Sequence, residues 1–385
     1  MNFARTRAEA TSQLSSFIPR AGKSYAAQRN FDHGPGRHRA VSVLSPAIRH
    51  RLITEEEVVS ATLRQHRFAD AEKFVQEVLW RTYWKGWLEM RPPVWTNFET
   101  GRNAALDQMG GSGTYAQAIA GETGIEGFDD WAHELTETGY LHNHARMWFA
   151  SIWIFTLRLP WELGADFFLK NLMDADPASN TLSWRWVAGI QTVGKTYLAS
   201  ADNISRYTEG RFSPKGLSGS AMPLPAEASV PTRPLPSPAA YDPDKPSLLL
   251  ITGEDLHPES LGLAPGSIKA IAGVKSVPGW PFGDKATRFA DAAISDALSR
   301  AQLHFGAKAS LTDGAQAVAD LARAAGAKQI VTAYAPVGPI AGWLAQDFGL
   351  PMGTIRRGWD SKFWPHATKG FFPFKEKIPK ILNDL

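Results

Sequence analysis

Thirteen residues, DADPASNTLSWRW from Asp174 to Trp186, gather two carboxylates (Asp174, Asp176), an amide (Asn180) and two indoles (Trp184, Trp186). Carboxylates and an amide can hydrogen-bond the edge of a polar heterocycle, and an indole can stack on one or pass it an electron. The chain has no cysteine. Disulfides, thiolate metal sites, Fe–S ligation and a cysteine nucleophile are therefore excluded, and any redox chemistry must come from a bound cofactor or from aromatic side chains.

Three other segments carry similar groups. In FVQEVLWRTYW, Glu77, Trp80, Arg81 and Trp84 fall at spacings of three, four and seven from Glu77, which places them on one side of a helix. A tryptophan stripe alone reads as core, but Glu and Arg on the same stripe need partners that a polar ligand would supply. TGYLHNHARM brings Asn143, Arg146 and Met147 into one helical turn. Its His142 and His144 have no third ligand nearby and read as helix surface, so no metal is expected. YAAQRNF, with Tyr25, is followed by SVLSP, whose Ser42 and Ser45 either offer hydroxyls and free N–H groups to a phosphate or simply cap a helix.

The elements that must position these residues change character along the chain. EEEVVSATLRQ, DAEKFVQEVLWRTYWKGWLE, FDDWAHELTETG and HNHARMWFASIWIFTLRL repeat apolar residues at three and four, and residues 1–212 are expected to form an all-helical domain. Eight of the 26 prolines lie between Pro223 and Pro246, so residues 213–245 read as an extended linker. Beyond it SLLLIT, SIKAIAGV, KASL, KQIVTAY and PMGTIRR alternate with Ala-rich helical stretches. That predicts an α/β domain with a parallel sheet over residues 246–385. Ten of the 14 tryptophans precede residue 190, which also separates the two halves.

At 385 residues, 44% hydrophobic and 21% charged, the composition is that of an ordinary globular chain with room for two cores. The net charge of +3 permits a polyanionic partner without requiring one. The polar start MNFARTRAEATSQLSS lacks a signal-type apolar segment, and MWFASIWIFTL is too short to span a bilayer, so a cytoplasmic, soluble protein without a membrane partner is expected.

Taken in order, the four segments resemble the flavin-binding domain of the DNA photolyase and cryptochrome family over most of residues 12–203. The resemblance implies an all-α FAD-binding photolyase-type domain followed by an α/β Rossmann-like domain. YAAQRNF and SVLSP are similar to the family's tyrosine and its FAD-phosphate segment, implying cofactor contacts from Tyr25, Ser42, Leu44 and Ser45, although Val41 and Val43 stand where the family has Thr and Arg. It further assigns Arg81, Arg146, Asp174, Asp176 and Asn180 to the flavin, with Asp174 paired to Arg146. Trp184 becomes the aromatic nearest the ring and Trp161, thirteen residues before Asp174, the next electron carrier. Glu77, Trp80, Asn143, Met147 and Trp186 would form the lesion pocket, with His144 where the dimer-repairing enzymes carry Arg. A surface-proximal third tryptophan has no match; Tyr115, Trp87 and Trp95 all stay open as substitutes.

The implied function is light-driven repair of cyclobutane pyrimidine dimers in damaged DNA by a monomeric enzyme. Six-four photolyases carry His at the positions of Asn143 and Met147, and neither is present here. A cryptochrome-like blue-light sensor is the alternative, and a flavin-binding relic or structural DNA-binding module a blander third. Arg29, Lys85, Arg185 and Lys195 lie where they could meet phosphates, or are merely solvated. In ordinary family members the α/β domain comes first, so the order here, with WDSKFWPHATKGFFPFKEKIPKIL resembling the usual interdomain segment, implies a circular permutation. Whether a second, antenna chromophore binds is not legible.

Overall fold

The computed structural model describes residues 3–225, 227–275 and 282–383; Trp280 lies outside them. Helices run first: α1 Arg7–Phe17, α2 Lys23–Gln28, α3 Ser45–Arg49, α4 Glu55–Gln65, α5 Phe68–Glu89, α6 Pro93–Met109, α7 Gly113–Ala120, α8 Phe128–Thr138, α9 Asn143–Ser151, α10 Trp161–Asn171, α11 Pro177–Val187 and α12 Ala201–Tyr207. Their ends follow local chemistry. Thr54 and Glu57 form a capping box on α4, Ser112 and Ser200 cap α7 and α12, and Gly121 and Gly139 close α7 and α8 in the left-handed region. The long apolar stretch after His142 departs from the single helix its periodicity predicts: α9 gives way to a π-helical turn over Ile152–Thr156, and Arg158 leaves it at φ 56°.

The sheet follows: β1 Ser247–Ile251, β2 Ile268–Val274, α13 Asp284–Phe305, β3 Ala309–Thr312, α14 Gly314–Ala324, β4 Gln329–Ala333, α15 Pro339–Leu344 and β5 Met352–Ile355, then α16 Gly358–Phe363, α17 Phe371–Lys375 and α18 Ile378–Asn383. All pairings are parallel and the strand order is β3-β2-β1-β4-β5. The central β1 and β4 are buried at every position, as sandwiching between helical layers demands, while β3 and β5 are partly open. The described residues between α12 and β1 carry no helix or strand and are mostly exposed. Ala239 exchanges hydrogen bonds with Thr354 of β5, and Arg91 donates to Thr232. Among the described residues no helix is long and apolar enough to cross a membrane.

The helical half and part of the sheet share one apolar core, a second core with Leu248, Leu250, Ile330 and Val318 lies within the α/β half, and the seam between the halves is charged. Arg49 donates two bonds to Glu254 at 2.6 and 2.7 Å, Arg51 two to Asp360 at 2.8 Å, and Arg357 two to Asp255 at 2.6 and 2.7 Å. Tyr334 donates to Glu89 and Trp359 to Thr82 on α5. Gly86, in the middle of α5, is where Trp364 lands; a Cβ there would lie 2.9 Å from the Trp364 backbone. That close approach explains a residue that costs a helix interior about 1 kcal/mol.

Buried histidines make this fold acid-sensitive. Burial, with Arg49 nearby, lowers His50 to about 3; burial also lowers His142 to about 3, and His144 and His257 to about 4, from 6.5. Between pH 6.5 and 4 the unfolded chain therefore binds more protons than the folded one. Stability should rise with pH across that window and fall on acidification, by up to about 1.4 kcal/mol per pH unit for each histidine. Urea midpoints measured from neutral pH downward check this; a flat profile would contradict it.

Candidate functional site

Three of the four segments meet around α11, on which α5, α9 and α10 pack, and Tyr25 of the fourth lies on α2, which packs on α5. Asp174 and Asp176 lie at the start of α11, both buried. Asp176 caps α11 by accepting from Ser179 N at 2.7 Å, and its other oxygen accepts from Arg81 at 2.9 Å, with Arg49 at 3.7 Å and Lys85 at 3.8 Å. Asp174 meets Arg146 at 3.3 and 3.4 Å and Arg81 at 3.5 Å. Burial alone would raise both carboxyls; Arg146, Arg81 and Ser45 overcome it at Asp174, and Arg81, Lys85 and Arg49 at Asp176, so both are held below the usual carboxylate range. Burial lowers the Lys85 ammonium despite Asp176. Arg146 is aimed by a further bond from its Nε to Leu141 O at 2.9 Å.

Around this charged floor the remaining predicted residues divide by exposure. Asn143 is exposed, and Glu77, Trp80, Arg81, Arg146, Met147 and Trp186 are half-buried. Asn143 and Met147 share one face of α9, the amide 4.0 Å from the sulfur. Glu77 is ion-paired to Arg29, and burial pushes its carboxyl up against that pull. Trp80 lies flat on Phe371 of α17, centroids 3.6 Å apart and planes within 12°. Trp186 stacks on Tyr197 at 5.7 Å. Asn180 is buried and donates to Ala165 O at 2.8 Å.

Tyr25 is buried, edge-on to Phe17 and Phe74, and burial drives its phenol well up. The Ser42 hydroxyl accepts from Leu44 N at 3.3 Å, Leu44 is fully buried, and Ser45 helps to hold the Asp174 carboxyl down. Val43 between them is held at φ 54°, a strained conformation for a β-branched residue.

Trp184 is buried and meets Phe149, Trp153 and Phe168 edge-on, at 6.5, 6.2 and 5.1 Å. Trp161 packs on Phe98 at 5.6 Å and carries the Arg185 guanidinium at 6.0 Å. Tyr115 lies edge-on to Trp153, while Trp95 is joined to Trp161 through Phe98.

Two of the basic residues expected near phosphates are placed otherwise. Lys85 is buried against Asp176, and Arg185 is buried and paired with Glu227, because both lie on inward faces of their helices. Lys195 is exposed. Arg49, Trp153 and Phe371 were not legible as site residues. Arg49 had no motif, Trp153 sat in a run that reads as core, and Phe371 comes from a segment nearly 300 residues from Trp80 in sequence. A further buried cluster, Asp32, His38 and Glu134, joins the loop before α3 to α8: His38 and Glu134 bond at 2.9 Å, and Arg211, Trp131 and Gly34 donate to or pair with Asp32.

The donor set fits a flavin. The buried atoms Lys85 Nζ, Ser179 Oγ, Thr181 Oγ1 and Trp184 Nε1 have no hydrogen-bond partner within the protein, beside carboxylates and guanidinium groups suited to the ring's polar edge. Comparison with known proteins points the same way. Residues 74–212 match the family model described as the FAD binding domain of DNA photolyase. The deoxyribodipyrimidine photo-lyase of Agrobacterium fabrum is 32% identical over 183 residues, 47% of this chain and 37% of that protein. Those of Vibrio cholerae and Escherichia coli are 25% and 27% identical, covering 53% and 49% of this chain and 43% and 40% of theirs. A solved bacterial class III photolyase from Agrobacterium tumefaciens is 28% identical, with TM-score 0.44, over 53% of this chain and 43% of that one. The chain thus spans less than half the length of each of these relatives. Through residues 74–212 the chain is thus similar to the FAD binding domain of DNA photolyase, which supports FAD as its cofactor.

Proposed function

We propose that this protein is a light-driven, FAD-dependent enzyme that repairs cyclobutane pyrimidine dimers in DNA. The observation that carries this reading is that Glu77, Trp80, Met147 and Trp186 stay only half-buried and Asn143 exposed, while Asp174 and Asp176 are buried. FAD, when bound, supplies the photochemical electron. The protein's part is positioning. Trp80 and Trp186 offer stacking faces to a flipped-out base, worth about 1–3 kcal/mol per base. Trp80 is backed by Phe371, which fixes the plane of its ring. Asn143 and Glu77 hydrogen-bond the pyrimidine edges. Arg81 and Arg146 hold Asp174, which would hydrogen-bond the flavin, in place.

DNA would track over a basic cavity of about 660 Å³ lined by Arg20, Arg37, Arg39 and Arg211 and by Gln28, the neighbour of Arg29. Replacing Arg37 and Arg39 with Ala should weaken DNA binding uniformly across sequences and flatten the salt dependence by about 0.9 in log–log slope for each phosphate no longer neutralised. Fluorescence anisotropy at several salt concentrations reads it; an unchanged slope would remove this surface from the DNA path. In this reading the enzyme acts as a monomer in the cytoplasm, and the α/β domain placed after the helical one reflects a circular permutation, with residues 213–245 closing the exchanged connection.

A cryptochrome-like sensor is the second reading, favoured by the Arg29–Glu77 ion pair, which engages the carboxylate that repair needs. Illumination of the reduced protein with a dimer-containing oligonucleotide separates the two. Repair predicts loss of the dimer, whereas normal flavin photoreduction with the dimer intact would leave the sensor.

A further inference from the structure

We infer that Trp153 and Tyr115 form an electron-supply route to Trp184 that is separate from the one through Trp161. The inference rests on the flavin-binding reading above. Trp153 lies edge-on to Trp184, centroids 6.2 Å apart at 83°, and Tyr115 lies edge-on to Trp153 at 6.1 Å and 87°. Three oxidisable rings therefore run in contact from α11 through the π-helical turn to α7. Tyr115 itself is buried, but its neighbours Thr114 and Ala116 are exposed, so the route ends one residue beneath the surface.

Two features of the backbone build this path. Trp153 sits in the π-helical turn at Ile152–Thr156, and such turns, which add a residue to the helical repeat, often mark functional positions. Its indole N–H is fixed by Pro160 O at 2.9 Å. Gly164 on α10 makes the room: a Cβ there would lie 2.3 Å from the Trp184 ring and 3.0 Å from that of Trp153. The path from Trp161 continues differently. Its ring partner is Phe98, at 5.6 Å, and Phe98 leads to Trp95 at 5.3 Å. Phenylalanine has no heteroatom to ease its oxidation, so that path is interrupted where the other carries a tyrosine.

Trp184 gives one electron to the photoexcited flavin, Trp153 refills Trp184, and Tyr115 refills Trp153. Tyr115, one residue beneath the surface, loses its phenolic proton to water as it is oxidised. An external thiol gives the tyrosyl radical a hydrogen atom, restoring the phenol O–H, and the thiyl radicals left by two turns couple to one disulfide. Net, one electron passes from thiol to flavin for each turn of the route.

The test is electron paramagnetic resonance of the FAD-loaded full chain frozen under blue light, with ring-deuterated tyrosine to identify the signal. Wild type is expected to show a tyrosyl radical, Y115F and W153F to lose it, and W153Y, which restores an oxidisable ring in the same packing, to recover it. W161F should keep it. A tyrosyl signal that survives W153F, or that W161F abolishes, overturns the route while leaving the flavin reading intact. A purified, reconstituted wild type with no flavin spectrum overturns both.

Discussion

An Arg51→Ala variant should unfold at a free energy about 3–5 kcal/mol below that of the wild type. Arg51 is 2% exposed and its guanidinium serves three carboxylates: Asp360 with two bonds at 2.8 Å, Glu55 at 3.2 Å and Asp255 at 3.5 Å. Asp255 keeps Arg357 at 2.6 Å when Arg51 is truncated, so the loss falls on Glu55 and Asp360, two acids left in the interior without their cation. Arg51 is also held at φ 51°, and that strain is tolerated because the ion pairs fix the side chain. Arg51→Lys keeps the charge but not the planar fork and should fall between the two. Urea unfolding at neutral pH measures the difference. A loss below about 1 kcal/mol for the alanine variant, the range of an exposed pair, would mean that the seam is not held by these bonds.

The second large effect is expected at Asp176. One carboxylate there does two things, capping α11 through Ser179 N and neutralising Arg81, Arg49 and Lys85. Two substitutions separate them. Asp176→Asn retains a good cap and removes the charge, leaving buried Arg49 and Lys85 and half-buried Arg81 against Asp174 and Glu254; Asp176→Ala removes both. The asparagine variant should lose about 3–5 kcal/mol and release its flavin, and the alanine variant about 1 kcal/mol more, the usual worth of a cap. Flavin absorbance retained after gel filtration and a urea melt read the two quantities on one sample. Full retention of stability and flavin by the asparagine variant would refute the role given to the charge.

Arg146 and Asp174 show what was legible beforehand. Both sit in motifs whose resemblance to the family implied a pair, and they lie 3.3 Å apart. The α4 boundaries were readable because Thr54 and three following glutamates announce a start, and the strands because aliphatic runs are short and bounded. What stayed hidden depends on partners far apart in the chain. Arg49 looked like any exposed arginine, since nothing near it in sequence says that Glu254, 205 residues away, will take both its N–H groups. Trp153 looked like core because a π-helical turn has no hydrophobic period of its own, and that turn is what directs the ring to Trp184. Phe371 behind Trp80 follows from the docking of α17, which local propensity does not encode.

Arg51 also sets a timetable for synthesis. Its principal partner, Asp360, is made 309 residues later, which at about 5–20 residues per second is a delay of roughly 15–60 s. During that interval Glu55, one helical turn on, is the partner already made. The nascent helical half thus waits with an unfinished, water-accessible seam, and a chaperone has its longest opportunity to bind there before residue 360 is translated.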